Sequence, residues 1–138
     1  MKVREVMTKS PACCSSDTNL GAAAGIMWNS NCGFLPILSS EHEVVGVLTD
    51  RDICIAMVTR NRLPGEITAQ QVSSGVIYSC KSEDDIITAL ATMKENGVRR
   101  QCSMPRASSP GLSLSMTSCS SLILRTAVHF LASSLCTV

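Results

Sequence analysis

Asp17-Thr18-Asn19-Leu20-Gly21-Ala22-Ala23-Ala24-Gly25-Ile26-Met27 returns 66 residues later, without a gap, as Glu83-Asp84-Asp85-Ile86-Ile87-Thr88-Ala89-Leu90-Ala91-Thr92-Met93. In the first stretch Leu20, Ala23, Ala24 and Met27 stand at i, i+3, i+4 and i+7, and Ile86, Ala89, Leu90 and Met93 repeat that spacing. Four apolar side chains so spaced share one face of a helix, so an amphipathic helix is predicted in each stretch. Each also has a start signal. Ser16 or Asp17 can accept the free N–H groups of the first helix, and Ser82 with Asp85 makes an S-x-x-D box for the second. Upstream, Val3-x-x-Val6 falls on Ala69-x-x-Val72, a short helical turn leading into a strand in each copy.

Outward from the first helix, Phe34-Leu35-Pro36-Ile37-Leu38 reads as a short buried strand and Ser39 to Glu43 as a polar turn. Val44 to Thr49 is a second β-branched run. Asp50-Arg51-Asp52 then open a helix through Arg60, and Pro64-Gly65 marks a linker. The order is strand, helix, strand, strand, helix: an α/β unit written β-α-β-β-α. A unit of about 60 residues buries too little surface to stand alone, so the duplication predicts two copies packing their sheets into one body.

The chain has 138 residues, of which 45% are hydrophobic and 17% charged, with a formal net charge of +1. That balance argues against a disordered chain and against a protein that grips nucleic acid electrostatically. No run of 18 apolar residues suggests a membrane span, and Met1-Lys2-Val3-Arg4-Glu5 lacks the apolar stretch of a signal peptide, so a cytoplasmic location is expected. The eight cysteines form no C-x-x-C pair, and only His42 and His129 could join them, so no metal site is predicted. They read as small core hydrophobes, with a thiol sensor at Cys13-Cys14 as the competing role. No nucleophile–base pair or carboxylate couple is spaced for catalysis.

Taken in order, Val3-x-x-Val6-Met7-Thr8, Asp17-x-x-Leu20-x-x-Ala23-x-x-x-Met27, Gly33-Phe34-Leu35-Pro36-Ile37 and Val45 to Ile53 resemble a cystathionine-β-synthase (CBS) domain. The stretch from about Thr68 through Gly97-Val98-Arg99-Arg100 resembles the start of its tandem partner. The resemblance divides the chain into a first CBS domain at 1–66, the opening of a second at 67–100, and a divergent tail at 101–138. It implies tandem CBS domains and a regulatory module rather than an enzyme. It further implies a homodimer, an unidentified regulated partner, and no required cofactor. The implied ligand is adenosine-containing (AMP, ADP, ATP or S-adenosylmethionine) and sits in the cleft between the copies. A ligand-free dimerisation module is the alternative, with no nucleic-acid or membrane partner in either case.

The resemblance places the ligand motif at Gly46-Val47-Leu48-Thr49-Asp50-Arg51-Asp52. A carboxylate at Asp52 can accept hydrogen bonds from both ribose hydroxyls, while the Thr49 hydroxyl and the helix N-terminal amides can meet a phosphate. Arg51, next to Asp50 in the motif, is expected to add charge-assisted phosphate contacts, and Arg100 with Arg99 is either a phosphate clamp or a solvated edge. Thr8, Ser10, Pro11 and Ala12 are expected to supply backbone edges and an apolar wall for adenine. Thr49 and Asp52 have a plainer reading too, as the N-cap and first-turn acid of the helix.

After Arg100 the pattern breaks. Residues 101–138 contain no Asp, Glu, Lys or Asn, ten serines, and only Arg106 and Arg125 as charges. Where the family continues with Leu-Pro, this chain has Gln101-Cys102-Ser103-Met104. The departure is frameshift-like. Reading from the third base of each codon forces an Ala at the Met104/Pro105 junction and an Asp at Met116/Thr117. The alternative is a natural serine- and leucine-rich extension. Either way the second ligand motif is lost, and the tail is expected to be irregular or helical, Ser120 to Val138 being the stretch able to form a helix. Leu112, Leu114, Leu122, Ile123, Leu124, Val128, Phe130 and Leu131 are candidates to cover apolar surface left open. Lowered stability and a tendency to associate are the expected consequences.

Overall fold

The computed structural model describes residues 1–73, 75–98, 101–104 and 120–122. The chain divides into two compact units. The central unit is Pro11–Ile77; the flanking unit joins Met1–Ser10 to the described residues from Tyr78 onward.

In the central unit β1 (Cys14–Ser15), β2 (Phe34–Leu38) and β3 (Val44–Thr49) form a sheet in that order. β1 runs parallel to β2 with Cys14 opposite Ile37, and β2 runs antiparallel to β3 with Leu35 opposite Leu48. Residues directly opposite share a face, so Leu35 and Leu48 enter one core together. There they meet Leu20, Ala23 and Met27 of α2 (Leu20–Asn29) and Ala56 of α3 (Asp50–Arg60). Ile67 and Ala69, the latter from α4 (Ala69–Val72), complete the cluster. Leu20, Leu35 and Leu48 are each fully buried, worth roughly 1.5–3 kcal/mol apiece relative to exposure. The predicted helix face is narrower than its spacing suggested, because Ala24 is exposed. The cap also differs: Asn19, not Ser16 or Asp17, accepts the Ala22 N–H at 2.8 Å. The hairpin turn between β2 and β3 places His42 at a φ of 60°, exposed as its polar setting predicted.

The flanking unit repeats this plan with α1 (Val3–Val6), β4 (Ser79–Lys81), α5 (Ile86–Glu95), β5 (Gln101–Met104) and β6 (Ser120–Leu122). Its sheet order is β4-β5-β6. β4 pairs parallel with β5, and Cys80 lies opposite Ser103. Those are the positions 66 residues after Cys14 and Ile37, so the parallel register of the first copy is reproduced across the break in sequence. Gln101 therefore occupies the place of Leu35, and Leu122 pairs with it as Leu48 pairs with Leu35. Among the described residues of the 101–138 segment the structure is strand. Ser120–Leu122 is not the start of a helix, because its backbone is committed to the ladder with β5. Leu112, Leu114, Ile123, Leu124, Val128, Phe130 and Leu131 lie outside the described residues.

The two leader helices are exchanged. Val3 N–H donates to Asp84 O, Arg4 N–H to Ser82 O and Ile86 N–H to Met1 O, so α1 docks at the head of α5. In the central unit Ala69 N–H donates to Thr18 O, Gln70 N–H to Ser16 O and Leu20 N–H to Ile67 O, so α4 docks at the head of α2. Every one of these bonds has its counterpart at the same offset. Lys2 and Arg4 reinforce the first docking by reaching Glu83 at 2.7 and 2.8 Å. Compact units and sequence copies are thus different divisions of this chain. Among the described residues, the buried cluster of the flanking unit is Val3, Ile86, Ala89 and Met93. No helix among the described residues is long and apolar enough to cross a membrane.

Candidate functional site

The segment Gly46 to Asp52 carries β3 into α3 without a loop. Thr49 is the N-cap, with extended backbone angles, and its Oγ1 accepts the Asp52 N–H at 3.2 Å. Asp52 answers by accepting both the Thr49 N–H at 3.0 Å and the Thr49 hydroxyl proton at 2.7 Å on one oxygen, Oδ2. This is a complete capping box, and the acids Asp50 and Asp52 in the first turn also complement the helix dipole. Thr49 and Asp52 are half-buried, and Oδ1 of Asp52 makes no hydrogen bond among the described residues.

The remaining head of α3 is less available than the sequence suggested. Asp50 N–H donates to Gly33 O at 3.2 Å, Arg51 N–H to Asp50 Oδ1 at 2.8 Å, and Asp52 N–H to Thr49 Oγ1. The first three amides of the helix are therefore already occupied, and the Thr49 hydroxyl proton is committed to Asp52. The expected phosphate contact from these amides and this hydroxyl is not free to form in this arrangement. Arg51, exposed and with no side-chain partner among the described residues, is the cation left at the motif.

Two neighbours shape this segment: Ser73, which the sequence did not single out, and Gly33, which opens the Gly33-Phe34-Leu35-Pro36-Ile37 run. A Cβ on Gly46 would stand 2.9 Å from Ser73 Oγ and 3.3 Å from Ser73 Cβ, so glycine is what lets the end of α4 approach β3. A Cβ on Gly33 would stand 2.5 Å from Asp50 Oδ2, which ties the strand entry to the first acid of the helix. Gly33 had a signal in its place before the Phe34-Leu35-Pro36 run; Ser73 had none.

The other expected site residues divide between the units. Pro11 and Ala12 belong to the central unit and are half-buried, with Ala12 packed against the core that Leu35 anchors. Thr8 and Ser10 belong to the flanking unit and are exposed, Ser10 at a φ of 56°. Arg99 and Arg100 lie outside the described residues.

The thiols follow the reading as core hydrophobes in part. Cys14 and Cys102 are buried, Cys13, Cys32 and Cys80 half-buried, and Cys54 exposed. Burial, and then the neighbouring Cys13, pushes the Cys14 thiol up to about 11; burial and then Asp84 push Cys80 up to about 11. Neither is primed as a nucleophile, since reactivity belongs to the thiolate. Among the described residues no three His, Cys, Asp or Glu side chains gather into a group that could hold a metal ion.

Known proteins share this architecture. The CBS domain matches residues 3–59. Hypoxic response protein 1 of Mycobacterium tuberculosis is 33% identical over 97 residues, which are 70% of this chain and 68% of that protein. The chain belongs to the CBS-domain family. A crystal structure of Hypoxic Response Protein I with two coordinated zinc ions has a TM-score of 0.69 at 29% identity, covering 77% of this chain and 86% of that one. A CBS domain pair solved with 5′-methylthioadenosine and S-adenosyl-L-methionine has a TM-score of 0.67 at 19% identity, covering 75% and 82%. That second likeness speaks for the fold alone. The chain is thus a CBS module whose solved neighbours include CBS domain pairs.

Proposed function

We propose that this protein is a regulatory CBS module, without catalytic activity of its own, that binds an adenosine-containing ligand at the Gly46–Asp52 motif and passes the bound state to a partner protein. In this reading residues 1–66 are its first CBS domain, 67–100 the opening of its second, and it works in the cytoplasm as a homodimer. One observation carries the ligand assignment. Asp52 is a half-buried carboxylate held rigidly by two hydrogen bonds on Oδ2 while Oδ1 has no partner among the described residues. A fixed carboxylate with one oxygen to spare is a ready acceptor for the hydroxyls of a ribose. With the α3 amides occupied, recognition rests on the nucleoside, and any phosphate must rely on Arg51 and on groups from outside this helix. The methylthioadenosine and S-adenosylmethionine in the solved CBS domain pair are ligands of that class.

Isothermal calorimetry with AMP, ATP, 5′-methylthioadenosine and S-adenosylmethionine tests the reading. A saturable signal that Asp52→Ala removes, with the far-UV spectrum unchanged, supports it. Absence of binding by all four, or binding indifferent to Asp52, overturns it. The dimerisation reading has its own support in Trp28 and Val58, large apolar side chains that are 86% and 85% exposed on α2 and α3. A concentration-dependent dimer with no ligand response would favour that reading alone.

A further inference from the structure

We propose that Gln101 makes β5 a weak strand, so that the β4–β5–β6 sheet of the flanking unit opens locally while the sheet of the central unit stays closed. Gln101 is 1% exposed, and neither its Oε1 nor its Nε2 has a hydrogen-bond partner among the described residues. An uncharged carboxamide in that state has given up water and gained nothing, a penalty carried whenever the strand is docked and relieved whenever it opens. The position is built for a hydrocarbon. The parallel register of β4 and β5 repeats that of β1 and β2, which places Gln101 where Leu35 lies fully buried in the central core.

The surroundings do little to compensate. On its antiparallel side β5 is held by the three residues of β6, where its counterpart β2 is held by the six of β3; on the parallel side β4 with three residues matches the short β1 with two. Among the residues whose burial is described, the buried cluster of this unit draws on α1 and α5, with only half-buried Cys80 of β4 packed against it from the sheet, whereas that of the central unit includes Cys14, Leu35, Ile37 and Leu48 from all three strands. Cooperative opening with a lower free energy than global unfolding is the usual behaviour of such a segment. Two units built on one plan would then differ in one respect: one is a firm platform, and the other is able to change state.

Amide hydrogen exchange on the full-length chain, read by mass spectrometry, tests this with Gln101→Met, which keeps the side chain's length and removes its polar atoms, and Gln101→Leu, which copies Leu35. The wild type is expected to exchange faster in Ser79–Lys81 and Gln101–Met104 than in Phe34–Leu38 and Val44–Thr49. Removing an unpaired buried amide should slow exchange in β4 and β5 by about 5- to 150-fold, and leave β2 and β3 unaltered. Equal protection of the two sheets in the wild type would overturn the proposal. So would faster or unchanged exchange in β4 and β5 in both variants, since a carboxamide satisfied by a trapped water would behave that way. Failure of both variants to fold would overturn it as well.

Discussion

Replacing Gly46 with alanine tests whether the first residue of the ligand motif is there for ligand or for packing. The new methyl would stand 2.9 Å from Ser73 Oγ, 3.3 Å from Ser73 Cβ and 3.6 Å from Ile37 Cδ1. The hydroxyl can rotate aside, but the Cβ contact persists and α4 must shift by a few tenths of an ångström. Overpacking of this kind costs about 1–3 kcal/mol, while alanine in a strand gains back roughly 0.5–1 kcal/mol over glycine in backbone entropy. Gly46→Ala should therefore destabilise the chain by about 1–2 kcal/mol in urea unfolding, with little change in m-value. In a Ser73→Gly background both close contacts vanish, and the same substitution should be neutral or slightly stabilising. Ser73→Ala should fall between, because it removes the oxygen and keeps the Cβ. A double-mutant cycle isolates the coupling. Strict additivity of Gly46→Ala and Ser73→Gly would show that the glycine is not needed for the approach of α4, and the packing argument would be wrong.

Thr49→Ala removes both the acceptor for Asp52 N–H and the donor to Asp52 Oδ2, and should cost about 1–2 kcal/mol, whereas Thr49→Ser should cost a few tenths, as measured by thermal and urea unfolding. The docking of α1 should weaken in acid. Hydrogen bonding from Lys2 and then the Arg4 and Lys2 charges hold Glu83 below its ordinary 4.5, and the Ile87 N–H holds Asp85 below 3.8. A carboxylate with a depressed folded-state pKa contributes above its unfolded value and loses that contribution as pH falls through its folded one. The protection of the Val3 and Arg4 amides, taken as their exchange rate relative to the intrinsic rate at each pH, should thus fall as pH drops below the ordinary carboxylate range, and salt should have the same effect at neutral pH; flat protection in both titrations would contradict it. In thiol labelling at pH 8, Cys54 should react well before Cys14 and Cys80, whose raised values leave them protonated. Because those two thiols ionise near 11 in the fold against an ordinary 9, the stability they confer should decline as pH rises through that interval, visible as a falling urea midpoint.

The helices were legible because their apolar spacing had to match the cores they enter: Leu20, Ala23 and Met27 reappear as Ile86, Ala89 and Met93 in both sequence and burial. The caps were harder. Ser15, Ser16, Asp17, Thr18 and Asn19 can all accept an amide, and the choice falls on Asn19 only once Leu20 is fixed in the core as the first helical residue. Strand β5 was not legible, because the short alternation of Gln101-Cys102-Ser103-Met104 puts Cys102 and Met104 in the apolar phase and Gln101 in the polar one, whereas the backbone pairing with β4 leaves Gln101 buried. The exchange of leader helices is likewise a matter of backbone bonds. At the candidate site Thr49 and Asp52 meet in a capping box, and the saturation of the α3 amides depends on where the Asp50 and Thr49 side chains turn, which spacing alone does not fix.

The crossed docking of α1 and α4 sets an order on synthesis. Pro11–Ile77 is one unbroken stretch that already contains the helix it needs, so it can close while the ribosome is still adding the residues beyond Ile77. The first ten residues have no such luck: the carbonyls of Ser82 and Asp84 that receive them, and the Ile86 amide they receive, do not yet exist. Residues 1–10 must wait, undocked, through the making of the middle of the chain, and settle after a stretch that is synthesised later than they are.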